Sequence, residues 1–255
     1  MARECRRLLI PTPQLQGVEA AGALTLSEEH SRYLCKVLRY GTGARFAVVD
    51  GAGHLWEAEL LDRQQARLLQ PLAEPLICEP RAQPALLLAA AVVKRDFELV
   101  VRMAVELGVD RLVPLLCERT AVQGQLRPER WQSIAEEAAE QCERLWLPQI
   151  DPPTPLPQLL SGEAVQTSGP VRRFWATTRQ EGLPLLAQAI GLRAAQPQDQ
   201  VWLACGPEGG WSPDEEEMAA AGSWSPVQLG PTILRSSTAA VAGAALISHW
   251  RAARG

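Results

Sequence analysis

The chain has 255 residues, 47% of them apolar, enough for one large domain or two ordinary ones with a sizeable core. A formal charge of −4 argues against a protein that coats nucleic acid non-specifically, although a local basic face remains possible. The cysteines (Cys5, Cys35, Cys78, Cys117, Cys142, Cys205) form no C-x-x-C pair, and His30, His54 and His249 are scattered, so no metal site is expected.

The N-terminal part reads as a small β-rich domain over residues 1–72. Ser27–Leu38 is a helix with Ser27 as its cap and two glutamates in the first turn. Arg45–Asp50 and His54–Leu61 flank the turn signal Asp50-Gly51-Ala52-Gly53 and form a hairpin. Arg67–Leu72 is a further strand candidate. Prolines crowd Pro71–Pro84, and residues 73–84 are expected to be a linker, because repeated proline leaves little room for a helix or central strand.

Residues 85–255 change to alternating strands and helices, which predicts an α/β layer structure with a mainly parallel sheet. Ala85–Val93 is a continuous apolar run of the kind buried on both faces. Asp96–Leu107 places Phe97, Val100, Met103, Ala104 and Leu107 on one helical face, closed by Gly108. Strand Arg111–Leu116 and helix Pro128–Cys142 follow, the latter with Trp131, Ile134, Ala135, Ala138 and Cys142 at helical spacing. Pro148–Pro157 reads as a long loop. Arg173–Thr177, Val201–Cys205 and Val227–Leu229 are the remaining strands. Ser212-Pro213-Asp214-Glu215 opens a helix ending near Gly222, and a last helix, rich in small residues, runs from Ser237 to Trp250. With no signal peptide and no membrane-length apolar run, the expected location is cytoplasmic, with reduced thiols and no membrane.

Two loops invite a ligand. Cys205–Gly210 (CGPEGG) lies between a strand and a capped helix, at the carboxyl end where open α/β sheets bind ligands. It matches neither G-x-G-x-x-G nor the phosphate loop G-x-x-x-x-G-K-[ST]. Leu229–Arg235 (LGPTILR) again follows a short strand with Gly-Pro and sets Arg235 at the start of the final helix. Two such loops converging on one sheet edge favour a shared pocket of backbone groups and apolar side chains, with Arg235 at its mouth.

The paired motifs CGPEGGWSPDEEE and VQLGPTILRSSTAAVAGAAL closely resemble the ribosomal RNA small-subunit methyltransferase E family. So do Lys94–Val109, Pro114–Thr120, Arg130–Arg144, His30 and the run Val37-Leu38-Arg39, so the resemblance spans most of the chain.

The resemblance implies a fold, a reaction and a site. The fold is α/β: a trefoil-knotted methyltransferase domain of the SPOUT class, preceded by a PUA-like β-barrel that helps hold RNA. The reaction is methyl transfer from S-adenosylmethionine to N3 of a uridine in 16S ribosomal RNA, by a homodimer that needs no metal. Carried over by position, Thr177, Gly206, Pro207, Gly209, Gly210, Leu229, Gly230, Ile233, Leu234 and Thr238 would hold the cofactor. Arg235 and Glu208 would serve the chemistry, and Arg32, Lys36 and Arg39 would contact RNA. The family commonly reads Leu-Gly-Pro-Arg-Ile-Leu-Arg-Thr-Glu-Thr-Ala. This chain has Thr232 for the first arginine, Ser236-Ser237 for Thr-Glu, and Met103 where a lysine is common. Two other outcomes are compatible with these changes: the same fold acting on another RNA nucleotide, or a catalytically impaired RNA-binding assembly factor.

Overall fold

The computed structural model describes residues 6–15, 22–121, 126–163, 169–178, 180–191, 196 and 198–254. It divides into two units, Met1–Arg81 with Ala139–Leu147, and Ala82–Ala138 with Pro148–Gly255.

The first unit carries β1 (Arg7–Leu9), α1 (Thr12–Leu15), β2 (Ala23–Thr25), α2 (Glu28–Arg32), a π-helical turn at Tyr33–Val37, β3 (Arg45–Val49), β4 (His54–Leu60), β5 (Gln65–Leu68) and β6 (Ile77–Cys78). The sheet runs β1-β3-β4-β5-β2, with β6 on β4. The expected hairpin is β3–β4, antiparallel with Val48 opposite Trp56. Its turn is built as the sequence implies. Asp50 Oδ1 accepts from the Ala52 and His54 amides at 2.7 and 3.1 Å, while Gly51 and Gly53 take positive φ. Gly53 has a second reason to be glycine, since a Cβ there would lie 2.5 Å from the Glu79 carbonyl oxygen. Alternation then sorts the strands' faces: Phe46, Val48, Trp56, Ala58 and Leu60 are buried together with Leu8, Ile10, Leu24 and Leu34.

Ser27 caps α2 as expected, accepting from the His30 amide at 3.1 Å. The stretch 73–84 is not a bare linker. Its β6 pairs antiparallel with β4 at His54 and Leu55, and the unit continues to Arg81. A two-residue edge strand tolerates neighbouring prolines because half its amides need no partner. Residues 139–147 also belong to this unit, through Gly53 N–H to Leu145 O (3.1 Å) and Leu9 N–H to Glu140 Oε1 (2.7 Å).

The second unit carries β7 (Ala85–Ala91), α3 (Phe97–Glu106), β8 (Arg111–Leu116), α4 (Pro128–Gln141, whose last turn falls in the first unit), β9 (Gln149–Ile150), β10 (Thr154–Pro155), α5 (Leu156–Leu160), β11 (Val171–Ala176), α6 (Leu186–Gly191), β12 (Gln200–Cys205), α7 (Pro213–Ala221), β13 (Ser225–Val227) and α8 (Ser236–Ala252). Its parallel sheet runs β10-β8-β7-β12-β11-β13, with β9 pairing β8. Leu86 to Val93 is buried throughout, as a strand covered on both faces must be. On one face Trp175, Trp202, Trp211 and Trp224 pack with Leu156, Leu159 and Ala219, so α5 and α7 cover it. Helix α8 lies against β7 and β12. There Gly243 permits close approach, because a Cβ would come within 2.3 Å of Leu203 Cδ2 and the buried leucine would have to shift.

Three further sequence expectations need correction. The buried face of α3 is Phe97, Val100, Val101, Ala104 and Val105, with Met103 and Leu107 half-buried, because the helix turns about 100° per residue and the stripe is wider than the chosen positions. Cys142 is exposed, lying just beyond the end of α4. Pro148–Pro157 is no loop but holds β9, β10 and the start of α5, where Pro157 occupies a first-turn position that lacks an amide partner anyway.

Candidate active site

Three parallel strands end side by side at the carboxyl edge of the second sheet. Ala176 of β11 is paired with Cys205 of β12 on one side and Val227 of β13 on the other. The two Gly-Pro loops therefore leave strands that β11 separates, and Thr177 emerges between them.

The first loop is a tight turn in which Gly210 N–H donates to Pro207 O at 2.9 Å, with Gly210 at φ +70°. Trp211 then enters the core. It stacks on Trp175 with ring centroids 3.8 Å apart and donates from Nε1 to the Ala176 carbonyl at 2.8 Å. Gly206 makes this possible, since a Cβ would stand 2.7 Å from the Trp211 ring. Ser212 and Glu215 form the expected capping box at the start of α7. Glu215 also accepts from the Glu118 amide at 2.8 Å, and Arg119 donates to the carbonyls of Gly209 (3.2 Å) and Trp211 (2.9 Å). The segment after β8 thus clamps the loop after β12.

The second loop is fixed differently. Gln228 makes backbone bonds to Pro184 and Leu186 at 3.0 and 2.9 Å, and its side chain donates to Leu183 O at 2.7 Å. At its far end the Ser236 hydroxyl donates to Gly206 O. The two loops are therefore joined by a hydrogen bond.

Between them lies a cleft with two arms, of about 130 and 290 Å³, which share Ala176, Thr177, Thr178, Gly206, Ile233 and Ala239. The first arm is walled by Leu183 and residues 228–234, the second by Arg119, residues 206–211 and Glu216. Ile233, 65% exposed, leaves a large apolar side chain for a ligand to cover.

Most of the expected residues meet here. Thr177, Gly206, Leu229, Gly230, Ile233 and Leu234 line the first arm, and Pro207, Glu208, Gly209 and Gly210 the second. Two do not. Arg235, the N-cap residue of α8, is exposed and stands just beyond the wall; its carbonyl accepts from the Ala239 amide at 2.8 Å, but its guanidinium has no hydrogen bond or ion pair to any described residue. Thr238 is exposed on the first turn of α8, and Ala239, one position on, faces the cleft instead. Sequence reasoning missed Thr178, Gln180, Leu183, Gln228, Ala239, Trp211, Arg119 and Glu216. Trp211 and Arg119 lay inside quoted motifs, but Gln180 and Leu183 sit in a segment with no periodicity to mark it.

Burial pushes the Cys205 thiol up to about 12. Cys117 rises to about 12 as well, through burial first and then the Glu215 charge, against a lowering bond to Thr120. Neither is a nucleophile near neutral pH. Among the described residues no group of three or more His, Cys, Asp or Glu could hold a metal ion, and no helix is long and apolar enough to cross a membrane.

In the first unit, Arg32 and Lys36 line one groove with Arg63, facing Glu28 and Glu29. Arg39 lies outside that lining, exposed and at φ +57°, where it ends the helical segment in the place glycine usually takes.

Comparison with known proteins agrees with this geometry. Residues 80–248 match the RNA methyltransferase domain family, and residues 26–68 the RNA methyltransferase PUA domain. The ribosomal RNA small subunit methyltransferase E of a Synechocystis species is 36% identical over 245 residues, covering 95% of this chain and 77% of that one. The Bacillus subtilis protein of the same name is 25% identical over 241 residues, covering 92% and 93%. Among solved structures, a Legionella pneumophila methyltransferase in complex with the cofactor SAM superposes with a TM-score of 0.80 at 25% identity, covering 97% of this chain and 98% of that one. The small subunit methyltransferase E of Neisseria gonorrhoeae, bound to S-adenosyl methionine, gives 0.78 at 24% identity, covering 97% and 98%, and shares the fold. By the extent of these matches, this chain belongs to the ribosomal RNA small subunit methyltransferase E family.

Proposed function

We propose that the protein transfers a methyl group from S-adenosylmethionine to N3 of a uridine in 16S ribosomal RNA, acting as a cytoplasmic homodimer whose second unit is a trefoil-knotted domain of the SPOUT class. The observation that carries this reading is the single cleft built by both Gly-Pro loops at the carboxyl edge of the sheet.

The residues present fit that cofactor. The first arm offers apolar side chains and a glycine-containing loop whose backbone groups can approach a purine closely, and Gly230 has nothing within 4 Å of a Cβ position. The second arm is more polar, with Thr177, Glu208, Glu216 and the loop backbone. When bound, S-adenosylmethionine supplies a methyl group activated on a sulfonium. The protein has to align the acceptor and favour loss of the uracil N3 proton. Arg235 is suited to this, as a guanidinium free of described partners that can stabilise the developing uracil anion. Glu208, exposed on the loop that lines the second arm, would orient the acceptor. Arg32, Lys36 and Arg39 would hold phosphates from the first unit, the PUA domain.

The test is reconstitution. Purified protein, S-adenosylmethionine and 16S RNA from a strain lacking the gene should yield N3-methyluridine at one position. Methyl transfer to a different nucleotide would sink the uridine assignment, and no transfer at all would favour an assembly factor without catalysis.

A further inference from the structure

Glu216 of α7 is a half-buried carboxylate in the wall of the second arm. Its Oε1 accepts from Thr177 Oγ1 at 3.1 Å and from Gln180 Nε2 at 3.3 Å. Neither partner is a cation, no described residue forms an ion pair with it, and Oε2 makes no bond to a described residue. The acid is therefore held in a fixed orientation by neutral donors, with an acceptor oxygen to spare. Such a group is worth most to a ligand that brings a donor, because the side chain is already ordered before binding.

The two arms settle which part of a nucleoside-containing ligand that is. They meet at a waist formed by Ala176, Thr177, Thr178, Gly206, Ile233 and Ala239. A purine seated in the apolar first arm must place the sugar attached to it at that waist, and Glu216 is bonded directly to Thr177 there. A ribose carries two vicinal hydroxyls, both donors. We infer that Glu216 recognises the ribose of the adenosyl group, accepting a hydrogen bond from one of its hydroxyls, and is a specificity-determining residue of this cleft. Thr177 and Gln180 are positioning residues for that carboxylate. The inference rests on the proposed cofactor, but it assigns a contact on α7, outside both Gly-Pro loops.

Calorimetry on the full-length protein separates the alternatives. The ligands are S-adenosylhomocysteine; 5′-methylthioadenosine, which keeps base and ribose but lacks the amino-acid end; and the 2′-deoxy and 3′-deoxy forms of 5′-methylthioadenosine. In the wild type, one of the two deoxy forms should bind about ten- to a hundredfold more weakly than the parent. E216Q keeps the shape and an acceptor for Thr177 but replaces the spare acceptor by a donor. It should weaken S-adenosylhomocysteine and 5′-methylthioadenosine by the same factor, and no longer discriminate against that deoxy form. If E216Q weakens only S-adenosylhomocysteine, the carboxylate pairs with the ammonium and the inference fails. Equal binding of parent and both deoxy forms by the wild type also overturns it, without recourse to any variant. Failure of the wild type to bind S-adenosylhomocysteine at all would remove the proposed function itself; intact binding of that ligand with no response at Glu216 removes only the inference.

Discussion

Ser236 donates its hydroxyl to the carbonyl oxygen of Gly206, tying the first turn of α8 to the loop that leaves β12. The two Gly-Pro motifs, thirty residues apart by this bond, are thereby one structure. The bond asks only for a hydroxyl at position 236, which serine supplies.

Replacing Ser236 by Ala leaves the Gly206 carbonyl without that donor. The expected loss is about 1–2 kcal/mol of stability in urea unfolding, with weaker S-adenosylhomocysteine binding. Ser236→Thr should restore both. An alanine variant that binds as well as the wild type would show that the loops hold their places independently.

Gly206 and Gly230 should respond oppositely to the same added methyl. At Gly206 a Cβ meets the Trp211 ring at 2.7 Å, so Gly206→Ala must displace a core tryptophan, at a cost of about 1–3 kcal/mol. At Gly230 nothing lies within 4 Å, so Gly230→Ala should stay within about 0.5 kcal/mol of the wild type. Chemical denaturation of the free proteins checks both; comparable losses would contradict the packing described.

Arg235→Ala should reduce turnover about a hundredfold or more while leaving the melting temperature unchanged. The reason is that its side chain is exposed and has no described partner, so the substitution removes nothing structural. Parallel loss of activity and stability would make it a structural residue.

The buried thiols set an alkaline limit. Below pH 9.0 Cys117 and Cys205 are protonated in both folded and unfolded chains and contribute no pH dependence. Between 9.0 and about 12 the unfolded thiols ionise while the folded ones do not, so the unfolded state holds fewer protons and stability falls as pH rises. Replacing Cys205 by Ser should flatten that decline. At pH 8 a thiol reagent should label exposed Cys78 and Cys142 readily, but Cys117 and Cys205 only after unfolding.

Local elements were legible because their signals are local. Capping at Ser27 and Ser212, the Asp50–Gly53 turn, and the apolar run after Ala85 each depend on neighbours a few residues away. The short α5 and α6, and the two-residue β6, β9 and β10, were not, since pieces of that length complete no hydrophobic period. Residues 139–147 join the first unit through contacts to Leu9 and Gly53, partners too distant in sequence for any window to register.

For the site, the sequence by itself determined the two glycine-bearing loops and the arginine after them, because close backbone approach and helix starts are written in residue type. Only the tertiary structure decided that β11 lies between their strands, which sets Thr177 at the centre and brings Glu216 and Gln180 to it. It also turned Thr238 out and Ala239 in. Strand order in a parallel sheet is set by long crossover connections, and a side chain's role follows from which strands those connections place side by side.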